Sequence, residues 1–227
     1  MRFPSDEAIA IYRRFKALPG SEHIGKPVSI DALIGMCRRL RPTHIVEMGG
    51  GIGALSYTLL AHSDAFVDIY EDNEFCQKAL AENLKEFAGR FRVIDTYRLL
   101  PPSLDYELAV IDGGTGQDKD GGHRLAACHI LLGQDRLSGV YIEGYRGLQR
   151  DLVRSTLRDR YACYFIPHKD LYVDGKKWAG GLEVRCIRTD SVVRRWGSFL
   201  LFEALARVRA LYFRLRALAR RRNPVGR

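Results

Sequence analysis

No stretch of this 227-residue chain reaches the roughly 18 uncharged apolar residues that a membrane-spanning helix requires. The first residues, MRFPSDEAIAIYRRF, lack the apolar core of a secretory signal. Five scattered cysteines (Cys37, Cys76, Cys128, Cys163 and Cys186) include no C-x-x-C pair with metal spacing, so buried, reduced thiols in a cytoplasmic protein are expected. No Gly-Lys-Ser/Thr follows the glycine-rich stretch, which removes the P-loop class of nucleotide binders. Internal repeats are absent. Acids are almost absent from residues 191–227, which hold ten arginines, no lysine and the single acid Glu203. That segment carries the whole net charge of +9, and residues 1–190 balance 26 bases against 26 acids. A neutral main body argues against a general nucleic-acid binder, and nucleic acid is not expected among the partners.

What is present is an alternation. Apolar runs at 43–48, 65–70, 91–95, 107–111 and 139–143 are separated by helical patterns at 53–62, 73–88, 97–104, 123–133 and 146–159. Short continuous apolar runs divided by helices predict right-handed βαβ units around a parallel sheet buried on both faces. The rhythm then breaks. Residues 160–167 and 181–188 read as strands joined by a polar, glycine-containing loop too short for a helix, so a hairpin is expected to close the sheet. Upstream, Asp6–Leu18 and Ser29–Leu40 read as helices, with Ser29 as the expected N-cap and Pro42 as the stop. The length suits one α/β domain with appendages. These are a helical cap over 1–40, a ligand-binding domain over 41–190 and a basic amphipathic helix over 191–227.

The stretch EMGGGIGALS (47–56) places Gly49, Gly51 and Ala54 in the G-x-G-x-x-[GA] pattern of a strand-to-helix loop that approaches a ligand closely. A nicotinamide or flavin dinucleotide fits that pattern alone. Glu47 changes the reading. A carboxylate there would repel a pyrophosphate, at a cost on the order of 4 kcal/mol for like charges about 4 Å apart at an effective dielectric near 20. It would favour a cationic ligand such as S-adenosylmethionine. Glu71, at the end of the second strand, suits both ribose hydroxyls of a nucleoside, and Asp95, closing the third strand, is either an adenine contact or a turn residue.

With these residues in place, residues 28–189 resemble the class I S-adenosylmethionine-dependent methyltransferases. Glu47-x-Gly49-x-Gly51-x-Gly53 is similar to the first motif of that family, and Glu71 falls where its ribose-binding acid lies. The resemblance implies a Rossmann-like α/β fold with a seven-stranded, mostly parallel sheet in the order 3-2-1-4-5-7-6, the last strand antiparallel and helices on both faces. It further implies Asp95 and Thr96 beside the adenine and Asp112 at the end of the fourth strand. VIDG (110–113) and PVSIDALIGMCRRL (27–40) look most like small-molecule O-methyltransferases of the catechol and caffeoyl-CoA type.

Methyl transfer to a hydroxyl needs alignment and a base or a metal, and open α/β sheets bind ligands beyond the carboxyl ends of their strands. Asp112 and Glu143 occupy those ends on the fourth and fifth strands, and His123 is a further candidate base. The metal-dependent relatives carry an Asp-Asn pair where this chain has Glu143-Gly144. The departure weighs against a divalent metal, although an oxygen site from Asp112, Glu143 and Asp118 or Asp120 is conceivable. The loop 113–122, with five glycines, is expected to gate the site, with Tyr145, Arg146 and Trp178 as substrate contacts and His129 as a structural residue. Two competing readings are a non-catalytic, membrane-associated S-adenosylmethionine-binding or scaffold protein and an NAD(P)-dependent oxidoreductase.

On a helical wheel, Leu200, Leu201, Ala204, Leu205, Val208, Leu211, Tyr212, Leu215 and Leu218 share one arc, flanked by Arg207, Arg209, Arg214, Arg216, Arg220 and Arg221. Such a helix over 196–222 suits an anionic membrane surface on the inner face of a membrane. A partner helix in a homodimer, packing on its own domain and RNA contact are the alternatives. The expected acceptor is accordingly a small molecule, a saccharide or a lipid-linked intermediate.

Overall fold

The computed structural model describes residues 4–99, 105–112, 131, 135–144, 147–168, 171–173, 176–178 and 180–222. The chain opens with α1 (Asp6–Lys16), whose first turn is capped by Ser5, the hydroxyl oxygen accepting the Ala8 N–H at 3.3 Å. Helix α2 (Pro27–Leu40) begins two residues earlier than the sequence suggested. Proline is tolerated in a first turn because its missing N–H has no helical partner there. Lys26 therefore precedes the helix, and Ser29 is not its N-cap but a fully buried residue within it. The helix stops at Arg41, held at φ 46°, just before Pro42.

Seven strands form the main sheet. They are β1 (His44–Met48), β2 (Phe66–Tyr70), β3 (Phe91–Ile94), β4 (Leu108–Ile111), β5 (Gly139–Ile142), β6 (Tyr161–Pro167) and β9 (Leu182–Arg188). Their order is β3-β2-β1-β4-β5-β9-β6, with β9 antiparallel to both neighbours, as expected for the closing hairpin. The hairpin loop holds one unexpected feature, a ribbon of two three-residue strands, β7 (Leu171–Val173) and β8 (Lys176–Trp178). The remaining helices are α3 (Ala54–Ala61), α4 (Glu74–Asn83), α5 (Gly147–Leu157) and α6 (Val192–Arg222). Residues 97–99 are a turn, not helix; most of the helix expected over 123–133 lies outside the described residues, where Leu131 alone is seen, helical and buried.

Two apolar layers hold the sheet. On one face α1 to α4 contribute Phe15, Leu33, Met36, Leu59 and Leu80, packed on Ile45, Val67 and Val110. On the other, Val153, Leu157 and Phe199 of α5 and α6 cover Val46, Ile111, Val140 and Cys163. No helix among the described residues is long and apolar enough to cross a membrane. Cys37, Cys163 and Cys186 are buried thiols and Cys76 is half-buried, all four unpaired.

Three carboxylates are buried in these strands, and two have full partners. Asp68 on β2 accepts from Arg92 Nε at 2.8 Å and from the Tyr106 hydroxyl. Glu183 on β9 accepts from Arg39 of α2 at 2.6 Å and Arg185 at 2.8 Å, and its other oxygen meets His168 at 3.3 Å. Burial alone would raise the Glu183 carboxyl, but His168, Arg185 and Arg39 outweigh it and hold it at about 2. The folded value is depressed below the ordinary 4.5, so this stabilisation is complete above 4.5 and is lost as pH falls toward 2. Glu183→Gln is expected to cost on the order of 2 kcal/mol at neutral pH. Melting temperatures of variant and native protein are expected to converge on acidification below 4.5.

Candidate active site

The glycine loop is shaped by the ends of β1 and β2. The N–H groups of Gly49 and Gly50 both donate to the Tyr70 carbonyl, at 2.9 and 3.1 Å, which folds the chain over the sheet. Gly49 and Gly53 adopt φ of 93° and 98°, a region closed to most side chains. Gly50 is required for a different reason, since a Cβ there would lie 2.5 Å from the Ile69 side chain. Gly53 then caps α3, its carbonyl accepting from Tyr57 at 2.8 Å. Where Gly51 would carry a Cβ there is open space. That space is a cavity of about 390 Å³, lined by Gly49, Gly50, Gly51, Ile24, Glu71 and Asp112 among others. Its size lies within the range usual for small-molecule sites.

Glu71 closes one side. One carboxyl oxygen accepts the Gly51 N–H at 2.6 Å and the other the Asn73 N–H at 3.0 Å, tying the glycine loop to the start of α4. Burial raises its pKa and these N–H groups oppose the rise. Glu47 lies behind the loop, fully buried, and does not itself line the cavity. Its Oε2 accepts from Ser56 on α3 at 2.6 Å, while Oε1 has no hydrogen-bond partner among the described residues. Desolvation raises its pKa well above the ordinary value, opposed by Ser56 and reinforced by Asp112 and Glu71.

Asp112 and Glu143 leave adjacent parallel strands at the same end of the sheet, each one residue past the paired Ile111 and Ile142. Their backbone N–H groups extend the ladder, to Met48 at 2.8 Å and Ile111 at 3.0 Å. Glu143 also accepts from the Ser29 hydroxyl at 3.4 Å, which brings the start of α2 to the end of β5. Lys26 sits in the same neighbourhood. Desolvation lowers its pKa, and the charges of Glu143 and Asp112 pull it back up. Of the other expected residues, Asp95 is exposed and borders a separate depression with Gln77, Arg92 and Leu99. Thr96 is half-buried and accepts the Arg98 N–H at 3.2 Å. His123, His129, Asp118, Asp120, Tyr145 and Arg146 lie outside the described residues, as does the side chain of Trp178. No group of three metal-ligating side chains occurs among the described residues, a set that leaves out Asp118 and Asp120.

Four residues at the site were not expected there from sequence, Ser29 having been read only as a helix cap. Ser56 supports Glu47, Ser29 and Lys26 face the β4 and β5 ends, and Tyr97 stacks on Tyr70 at 5.4 Å and 9°. The Tyr97 hydroxyl is raised by burial and by Glu71, Asp72, Asp112 and Glu47, which places it among the same acids. Only Tyr97 had a signal, its position directly after Asp95-Thr96.

This fold is that of the class I S-adenosylmethionine-dependent methyltransferases. A methyltransferase from Podospora anserina, solved with S-adenosylhomocysteine, is 14% identical over 81% of this chain and 88% of its own, with a TM-score of 0.53. The O-methyltransferase TomG from Streptomyces achromogenes, involved in tomaymycin synthesis and solved with S-adenosylmethionine, is 17% identical over 80% of this chain and 90% of its own, at 0.54. A candidate RNA methyltransferase from Pyrococcus horikoshii is 16% identical over 82% and 99%, at 0.56. Identities this low carry the fold and leave the acceptor open. No protein-family model and no curated protein sequence matches the chain.

The raised Glu47 pKa has a consequence for the protein without ligand. A carboxyl that is harder to ionise when folded stabilises the fold below the ordinary 4.5 and loses that contribution as pH rises through its folded value. Glu47→Gln keeps the shape and cannot ionise. In thermal melts without ligand, the variant is expected to gain stability over the native protein as pH rises above the ordinary 4.5, because only the native chain must bury a charge or hold a proton.

Proposed function

We propose that this protein is an S-adenosylmethionine-dependent methyltransferase that methylates an oxygen of a small-molecule, saccharide or lipid-linked acceptor. The observation that carries the reading is the position of Glu47. It is a fully buried carboxyl with one oxygen unpartnered among the described residues, on the strand that leads into a glycine-lined cavity also lined by Glu71 and Asp112. Such a carboxyl calls for a cation, and it disfavours the pyrophosphate of an NAD(P)-dependent oxidoreductase.

When bound, S-adenosylmethionine supplies a methyl group activated by its sulfonium. Glu71 would accept hydrogen bonds from the ribose hydroxyls, Gly49 to Gly51 would let the backbone approach the methionine part, and Glu47 would balance its positive charge. Tyr97 and Thr96 would stand on the side of the base. Asp112 and Glu143, at adjoining strand ends, hold the acceptor hydroxyl, and one of the pair takes its proton, with His123 the other candidate base. Lys26 adds a cation to the neighbourhood of these two acids, whose charges oppose the lowering of its own pKa by burial.

Titration calorimetry with S-adenosylhomocysteine tests the cofactor half. Native protein is expected to bind, and Glu71→Ala to bind at least about tenfold more weakly through loss of charge-assisted hydrogen bonds. No heat and no thermal stabilisation of the native chain would end the proposal, and binding of NAD(P) instead would install the oxidoreductase. Radiolabelled methyl transfer into cell extracts, with and without chelator, separates an enzyme from a binding protein and reports any metal requirement.

Glu47 adds an independent signature. Burial raises the Glu47 carboxyl above its ordinary value, and a cationic ligand arriving beside it would lower it again, so that any proton it holds is released. Calorimetry in buffers of different ionisation enthalpy is expected to show proton release by native protein, and none by Glu47→Gln.

A further inference from the structure

Helix α6 is fastened to the domain near its start. The Ser198 hydroxyl oxygen accepts the Cys163 N–H at 2.9 Å, and the rings of Phe199 and Phe202 lie 5.5 and 4.3 Å from Phe165. Arg154 of α5 pairs with Glu203, and Arg158 covers the Trp196 ring at 4.8 Å. These contacts define the face turned to the domain. The apolar stripe extends beyond that face. Leu200, Leu201, Leu205, Val208 and Leu211 are each between 54 and 65% exposed. At about 100° per residue, Leu200 and Leu211 point well away from Ser198 and Phe202, while Val208 lies roughly 80° to the side of Ser198. Leu205 falls on the Ser198 side of the helix with Leu201 beside it, and both line, with Phe165 and Phe202, a groove of about 680 Å³ along β6. Packing of this helix on its own domain therefore does not account for Leu200, Val208 and Leu211, and it leaves Leu201 and Leu205 more than half exposed.

Charge selects what covers it. Residues 191–227 carry ten arginines against one acid, and that acid, Glu203, is paired with Arg154. A second copy laid on the stripe would bring two such segments together, and no helix among the described residues can cross a bilayer. An apolar strip bordered by arginines matches a layer whose interior is hydrocarbon and whose surface is phosphate.

We propose that α6 docks this protein on an anionic lipid bilayer, the exposed leucine stripe entering the interface and the flanking arginines meeting lipid phosphates. The helix is fixed in direction as well as position. Ser198 stands beside Cys163 and Phe202 beside Phe165, so α6 rises along β6 in the strand's own sense. β6 is parallel to β5, because both are antiparallel to β9. The helix thus ascends toward the sheet end that carries Asp112 and Glu143. Resting on the methyltransferase reading, the same docking presents the acceptor side of the site to a lipid-linked substrate.

Flotation of the full chain with phosphatidylcholine–phosphatidylserine vesicles tests the docking without reference to activity. Binding is expected, falling about tenfold or more on pure phosphatidylcholine or at high salt, given roughly 1 kcal/mol for each arginine near the surface. The triple variant Leu205→Glu, Val208→Glu, Leu211→Glu is expected to lose flotation while keeping the native melting temperature, because all three side chains are exposed. Absence of binding to anionic vesicles would overturn the proposal, as would undiminished flotation of the triple variant. Light scattering showing a native dimer that the triple variant converts to monomer would overturn it too, and would assign the stripe to a second copy. Flotation without any S-adenosylhomocysteine binding would remove the enzymatic reading and leave the docking intact.

Discussion

A carboxyl group can be taken into an apolar sheet only if something answers its charge, and three strands of this protein obey that constraint in two ways. Asp68 and Glu183 are answered within the fold, by Arg92 with Tyr106 and by Arg39 with Arg185 and His168. Both pairings join separate elements, β2 to β3 and β9 to α2, so they fix the sheet as well as neutralise it. Glu47 is the exception. A hydroxyl from Ser56 covers one oxygen and nothing described covers the other. A cation answering it from outside, beyond the glycine loop, is the simplest physical reason for retaining an acid at so costly a position.

The parallel strands were legible in the sequence because a strand buried on both faces must be apolar along its length. The observed bounds differ from the expected ones by a residue at most, as at β1 and β5. The antiparallel closing strand was legible from spacing, since no helix fits between 167 and 181. Two features were hidden by local chemistry. Ser29 has the side chain of an N-cap, but Pro27 starts the helix earlier and leaves Ser29 buried within it, its hydroxyl donating to Glu143. The β7–β8 ribbon consists of three-residue strands with polar content, below the length at which alternation can be recognised.

The site divides along the same line. Glycines and acids that act through their place on a strand end, such as Gly49 and Glu71, carry a pattern that a sequence displays. Glu47 was legible as a residue and misread in its placement, for its side chain turns into α3 and stands behind the cavity wall. Ser29 and Glu143 are 114 positions apart and meet only because α2 crosses the carboxyl end of β5. No periodicity encodes that meeting, and the same holds for the nearness of Lys26 to the charges of Asp112 and Glu143. Asp95 shows the converse, a residue in the expected place whose side chain faces a different depression.

The two halves of the site consequently differ in how they are built. The cofactor half is rigid by construction, with Gly49 and Gly50 tied to Tyr70, Glu71 tied to Gly51, and Gly53 committed to starting α3. The acceptor half rests on strand ends and on the first turn of α2, whose Ser29 reaches Glu143 over a long 3.4 Å bond. Helix α6, clamped at Ser198 and rising along β6 toward that same end, is what links the proposed docking to the strand ends. If α6 lies on lipid, a polar acceptor group would reach the sheet end from the lipid surface, and the apolar remainder of a lipid-linked molecule would not need to leave the bilayer.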